Sequence, residues 1–393
     1  MTATVADAPV GGARRYDLDW LRIGATFLLF PFHVAKVFDV LPMYHLKNRE
    51  LVPALDHATF FVHQWHMPLF FVLAGWSAYG AIVRRGTSGF LRERVRRLLA
   101  PFATGVVLLC PVIKYLELRS GLSITATGAT VLPAPFDEGF LAFLPTFFTR
   151  LDRFTWSHLW FLLYLFVFSV ALSPLLARLA MDGRRRVRPS VLALYLPLVP
   201  LVLIQTTLRL RWPGVQNLYD DWANVAYYAT FFLLGFVVAR RPIWETVIGR
   251  EWRRAGAFGL GAAGALAAGW AAIGGVGMRR LAAVPLQLSL AMHALTALAG
   301  YCLVLALWGA AREHFAFSTP ARAYLTEASL PIYVLHQLAI VLPGYFIIQT
   351  SAGVPEKFVL LLATSVTLTL AVYHFGVRRS RMLATALGVA PTR

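Results

Sequence analysis

Apolar runs of about 20 residues, separated by short polar stretches, follow one another almost edge to edge along this chain. A helical crossing of the roughly 30 Å hydrocarbon layer needs about that many apolar residues. Ten windows qualify: 20–40, 59–83, 98–116, 157–179, 190–207, 222–239, 255–275, 285–310, 325–349 and 358–377. The fifth is short and holds Pro197 and Pro200. The seventh is mostly Ala and Gly, with Gly256, Gly259, Gly261, Gly264 and Gly269 at helix-packing spacing. The pattern predicts an all-α, polytopic membrane bundle of about ten transmembrane helices, forming a single membrane-embedded domain over residues 1–393.

Composition agrees with lipid as the solvent. The 393 residues are 58% hydrophobic and only 14% charged, with a mean hydropathy of +0.62. A soluble domain carries about a quarter charged residues. The formal charge of +18 would elsewhere point to nucleic acid, but these arginines sit in short runs between apolar windows, as topology signals do. No nucleic-acid partner is expected. With the N-terminus inside, cytoplasmic segments hold 24 Lys and Arg against ten on the other side. Both termini are therefore predicted cytoplasmic, with residues 1–15 a flexible arm and 378–393 a tail, in the cell membrane. Met1 to Tyr16 lacks an apolar core, so no cleavable signal peptide is expected. Cys110 and Cys302 fall inside apolar windows, far apart, and read as small buried hydrophobes.

Ionisable side chains inside a membrane are costly and face the bundle interior or a cavity. Arg22 and His33 share the first window, eleven residues or about 16 Å apart on nearly one face. Asp19 lies one turn before Arg22. A charge at one end and a proton-handling group deeper in suit a long substrate lying along the helix; a snorkelling arginine and a satisfied core histidine are the bland alternative. His63 and His66 fall in the outer half of the second window, and His158 opens the fourth. Ser329, Tyr333 and His336 recur at i, i+4 and i+7 in the ninth. Each of these alone is more often core packing; together they predict a polar cavity. His293 and His374 have no polar company in the sequence and read as structural. No metal-ligand spacing such as His-Glu-x-x-His occurs, and no two windows show the matched histidine pairs of a haem site. Arg94 and Arg97, one turn apart at the start of the third window, serve equally as a topology anchor or as a phosphate clamp. The long outer loop 117–156 is rich in aromatics, including Phe136, Phe140, Phe147 and Phe148, and is expected to lie in the interface or fold over an opening.

Four motifs occur in order: Arg22, ten residues, His33; His66-Met67-Pro68-Leu69-Phe70-Phe71 followed by Ala74-Gly75; Ser157-His158-Leu159-Trp160-Phe161-Leu162; and Ala328-Ser329-Leu330-Pro331-Ile332-Tyr333-Val334-Leu335-His336. Together they resemble the membrane acyltransferase-3 family, over about residues 15–380, and most closely its glucan-modifying branch. The family's usual Ser-Gly reads Ala74-Gly75 here. The resemblance implies a ten-span bundle that moves an acyl group, of acetyl or succinyl class, from acyl-CoA to a hydroxyl of an extracytoplasmic glycan or lipid acceptor. It implies no permanently bound cofactor, acyl-CoA being a co-substrate. By that analogy His33 is the general base, with Arg22 and Asp19 beside it in the catalytic set, and Arg94 and Arg97 hold the donor's phosphates. His66, His158, Ser329, Tyr333 and His336 become substrate contacts. No soluble esterase-like module is evident in the chain. A transporter or flippase would also line a cavity with His and Tyr, though no paired, interrupted halves are visible. A non-catalytic scaffold would have no use for the buried polar groups.

Overall fold

In a computed structural model, which describes residues 14–125, 128–182 and 189–389, each of the ten apolar windows falls on helix over most of its length. The predicted arm 1–13, the arginines of 183–188 and the tail end 390–393 lie outside the described residues. The first crossing is α1 (Tyr16–Phe38) and the second begins α2 (Ala54–Arg94). The third is built from α3 (Ala100–Leu108) and α4 (Cys110–Arg119). A short antiparallel hairpin, β1 (Leu122–Thr125) and β2 (Gly128–Val131), and helix α5 (Phe140–Thr149) fill the long loop. Helices α6 (Trp160–Ala171) and α7 (Ser173–Met181) form the fourth crossing, bent by 58° between them. The proline-bearing fifth is fragmented into α8 (Val191–Tyr195), α9 (Leu198–Leu203) and α10 (Arg209–Arg211). The rest are α11 (Trp222–Arg240), α12 (Ile243–Ala272), the one-turn α13 (Met278–Ala282), α14 (Leu286–His314), α15 (Pro320–Ile347), α16 (Val354–Ala371) and the tail helix α17 (Arg381–Ala386).

Eight helical stretches are long and apolar enough to cross a bilayer, and the bent pair α6–α7 makes a ninth. One of the eight, Ala54–Arg119, runs for 66 residues. At 1.5 Å per residue it would be about 100 Å long, three bilayers deep. Gly86 divides it, because its φ of 67° and ψ of 174° are not helical. Two crossings therefore lie in that stretch, which agrees with the ten windows.

Contacts between loops sort the ends onto two faces. On the arginine-rich face Arg15 pairs with Glu245, Arg312 reaches Glu245 at 2.9 Å, Arg322 reaches Asp19 at 2.5 Å, and Arg240 reaches Asp182 at 3.2 Å. On the opposite face His45 meets Glu117 at 2.5 Å, Arg209 meets Asn224 at 2.6 Å, and Lys357 meets Asn48 at 3.2 Å. No contact of this kind crosses from one set of loops to the other among the described residues, as ten alternating crossings require.

Small residues set the closest helix approaches. A Cβ on Gly75 would lie 1.8 Å from the Phe232 carbonyl oxygen, and one on Gly235 would lie 2.0 Å from that of Val72. Helices α2 and α11 thus touch backbone to backbone through a reciprocal glycine pair. In α12, Gly259 packs on Leu303 of α14, where a Cβ would come within 2.9 Å, while Gly261 and Gly264 face open space. Gly75→Ala and Gly235→Ala are each expected to lower stability by about 1–3 kcal/mol through overpacking. Gly261→Ala should be neutral or slightly stabilising, since it meets nothing and removes backbone freedom. Thermal unfolding in detergent, followed by tryptophan emission, checks this; equal effects at Gly75 and Gly261 would refute the close approach.

The aromatic loop packs an aromatic cluster of its own. Phe143 and Phe147 of α5 are fully buried among Tyr115, Phe136 and Phe154, with centroid distances of 5.6–6.2 Å. Cys110 and Cys302 are buried and unpaired. His374 has a polar neighbour that the sequence did not reveal, the Tyr324 hydroxyl at 3.2 Å from Nδ1.

Candidate active site

Helices α1 and α15 run parallel and in register. Asp19 meets Arg322 at one end, and fourteen residues later on both helices His33 meets His336. The two contacts are about 21 Å apart along the axes. The start of α15 is set locally, with Pro320 at its first turn and the Thr319 hydroxyl accepting from the Arg322 amide at 3.1 Å.

Three histidines form a chain in the opposite-face half of the bundle. Ring centroids of His33 and His336 lie 5.0 Å apart, and those of His336 and His158 lie 4.9 Å apart. The carbonyls they meet assign their tautomers, since a carbonyl only accepts. His336 Nδ1 is 2.6 Å from the Tyr333 carbonyl oxygen, so Nδ1 donates and Nε2 carries the lone pair. His33 Nδ1 is 3.0 Å from the Leu29 carbonyl oxygen and 3.3 Å from His336 Nε2. Both neighbours are acceptors, which fixes the His33 proton on Nδ1. Its Nε2 is then the basic nitrogen, and it makes no hydrogen bond among the described residues. His33 is partly exposed, whereas His336 and His66 are buried. The Tyr44 ring stacks on His33 at 5.8 Å.

The other polar residues predicted along these helices are spent on backbone. His158 Nε2 donates to the Val334 carbonyl at 3.0 Å, and the Tyr333 hydroxyl donates to the His158 carbonyl. That reciprocal lock fixes the start of the fourth crossing on α15. His66 Nε2 donates to the Ala25 carbonyl at 2.7 Å and ties α2 to α1. Ser329 bonds the Leu325 carbonyl of its own helix at 2.7 Å. His336 meets His33, and His158 and Tyr333 pack on the far side of His336 and on each other; the Ser329 hydroxyl turns back on its own helix.

At the arginine-rich end, Asp19 is an ion-pair hub, accepting from Arg14 at 2.9 Å and Arg322 at 2.5 Å, with Arg22 at 3.5 Å. It lies about 21 Å along α1 from His33, too far to exchange a proton with it. Arg22 also reaches the Ser77 hydroxyl at 3.4 Å. Arg22, Arg94 and Arg97 repel one another electrostatically. Arg97 has Glu93 at 3.4 Å, while the Arg94 guanidinium lies over the Phe90 ring at 4.8 Å with its buried Nε unpartnered. Three guanidiniums with one unused donor make a place for a polyanion. The structure therefore brings the predicted residues into two groups at the two ends of α1.

Sequence reasoning missed a third group. His45, in the loop after α1, accepts at Nε2 from the Ser157 hydroxyl at 2.8 Å and donates from Nδ1 to Glu117 at 2.5 Å. Glu117 also holds Lys114 at 2.5 Å and the Ile124 amide at 2.7 Å, and both side chains of that ion pair are fully buried. The available signal was a Lys and a Glu three residues apart at the end of an apolar window. No group of three or more His, Cys, Asp or Glu side chains that could hold a metal occurs among the described residues.

The acyltransferase domain of the acyltransferase-3 family matches residues 15–374. Glucans biosynthesis protein C of Escherichia coli strain SMS-3-5 is 25% identical over 244 residues, 58% of each chain. Its counterpart in strain UMN026 is 25% identical over 256 residues, 61% of this chain and 62% of that protein. The chain thus spans less than two thirds of the curated relatives it matches. No solved structure matches it. With a match over nearly its whole length, and the many apolar helices of a multi-pass membrane protein, the chain belongs to the acyltransferase-3 family.

Proposed function

We propose that the protein is a cell-membrane O-acyltransferase that moves an acetyl- or succinyl-class group from acyl-CoA to a hydroxyl of a glycan. The observation that carries this reading is the His33 ring, with its proton held on Nδ1 by Leu29 and His336 and its Nε2 lone pair open. A base in that tautomer can take the proton of an acceptor hydroxyl as the oxygen attacks the thioester carbonyl. The proton then passes to the leaving thiolate, so ester and free CoA are the products. Arg22, Arg94 and Arg97 would bind the donor's phosphates at the other end of α1, with the donor's long arm lying along the helix toward His33. Asp19 would position Arg22 rather than touch substrate, and His336 would position His33. His66, His158 and Tyr333 would shape the site that meets the acyl group and the acceptor. The relatives' printed name, which concerns glucans, favours a glycan over a lipid as acceptor.

The test is release of free CoA from acetyl-CoA and succinyl-CoA by purified protein in nanodiscs, with membrane glycans as acceptor pool. Arg94→Gln should raise the donor KM about tenfold or more, the loss of a charge-assisted contact, and leave kcat within a few-fold. A fall in kcat at unchanged KM would remove Arg94 from donor binding. Solute movement without any consumption of acyl donor would replace the whole reading with a transporter.

A further inference from the structure

On the face opposite the arginine cluster, a pocket of about 440 Å³ is lined by four cations, Lys47, Arg49, Arg119 and Lys357, together with Ser120 and Gln349. No carboxylate lines it. Lys47 is neutralised outside the pocket by Asp39, and Arg119 donates to the Phe136 carbonyl at 2.9 Å and has as its carboxylate partner the highly exposed Asp137, at 3.6 Å. Arg49 has no carboxylate partner among the described residues, and neither does Lys357. Lys357 is the informative one. It is 7% exposed, and its ammonium meets just the Asn48 amide oxygen at 3.2 Å and the Ile348 carbonyl at 3.1 Å. Removing an ammonium from water without a counter-charge is costly, and such a group calls for an anion.

The pocket is joined to the His33 site by a short stretch of chain. Tyr44 stacks on His33, the His45 carbonyl accepts from Ser120 at 3.3 Å, and Lys47 donates to the Lys36 carbonyl at 2.7 Å, one turn after His33 on α1. Residues 44–49 therefore lead from the basic nitrogen to the cationic lining.

We propose that this pocket is an acceptor subsite that binds a phosphate or carboxylate carried by the glycan, holding it while a hydroxyl further along reaches His33. The proposal rests on the acyl-transfer reading for the word acceptor, but the binding itself does not. Guanidinium and ammonium groups converging from the loop after α1, the end of α4 and the start of α16 suit an oxyanion better than a neutral sugar, whose hydroxyls need acceptors as well as donors.

The experiment measures binding without any acyl donor, so failure of acyl transfer and failure of the subsite are read separately. The full chain in phosphatidylcholine nanodiscs is titrated with a gluco-oligosaccharide bearing one phosphate monoester and with its neutral parent. The phosphorylated form should bind about tenfold or more tightly, a preference that falls as salt is raised. Arg49→Gln, an exposed change that leaves folding alone, should cut the preference several-fold, and Lys357→Gln should abolish it. Equal affinities in the wild type, or a preference untouched by Arg49→Gln, would overturn the proposal. So would loss of the preference when phosphatidylglycerol is included in the disc, because the pocket would then belong to a lipid headgroup.

Discussion

His33→Ala is expected to lower kcat for acyl transfer by about a hundredfold to ten-thousandfold, the usual worth of a positioned base. Donor binding should survive, because the arginines lie at the other end of α1, about 16 Å away. The acid limb of the pH–rate profile should vanish with the ring. A second variant separates base from scaffold. His336→Ala leaves Nε2 of His33 in place but removes one of the two acceptors that hold its Nδ1 proton. It should cost much less, about tenfold, and should alter the pH profile rather than erase it. Single-turnover release of CoA, measured beside equilibrium donor binding, reads both effects. Retention of wild-type turnover by His33→Ala would sink the base assignment, and loss of donor binding in the same variant would show a structural role instead.

The largest stability effect is expected at the third crossing. Lys114 and Glu117 are both fully buried, and Lys114 also donates to the Ile124 carbonyl at 2.7 Å. Lys114→Met removes one partner and leaves a buried carboxylate with His45 and one amide. Breaking a buried pair from one side costs on the order of 3–5 kcal/mol, mostly the uncompensated charge. Adding Glu117→Leu removes that charge, so the double variant should regain a substantial part of the loss. Melting of the two variants in the same detergent checks the order. A double variant less stable than Lys114→Met would mean that Glu117 matters for the loop it ties down, through His45 and the Ile124 amide, more than for its charge.

Much of this was legible in the sequence, for physical reasons that can be named. Lipid demands closed backbone hydrogen bonding over about 20 residues, so the ten windows and the two sets of loops followed from hydropathy and arginine placement. The polar stripe on α15 and the shared face of Arg22 and His33 on α1 were each legible, because ionisable groups in a bundle face inward; that the two meet at His33 and His336 was not. Tyr333 and His158 were legible as residues but not as partners. A hydroxyl's target is decided by which carbonyl the fold delivers, and periodicity is silent on that. The same holds for His45: a loop histidine carries no depth signal, so its place between Ser157 and Glu117 depends on chain packing 72 and 112 residues away. The hairpin after α4 was hidden by brevity, four residues per strand giving no period to read. Gly75 and Gly235 likewise look like any other membrane glycines until α2 and α11 are set side by side.

The register of α1 with α15 bears on how the protein is made. Both its pins, Asp19–Arg322 and His33–His336, join residues 303 positions apart. A ribosome adding about 5–20 residues per second needs on the order of 15–60 s between the two histidines. During that interval the first helix waits in the translocon or the lipid with Asp19 still unmatched by Arg322. His33 Nδ1 already has the Leu29 carbonyl of its own helix, but its second acceptor, His336, comes only with the ninth helix. A nascent chain that stalls before α15 is therefore anchored in the bilayer but lacks both Arg322 and His336. The docking of the first helix against the ninth is one of the last events of biogenesis.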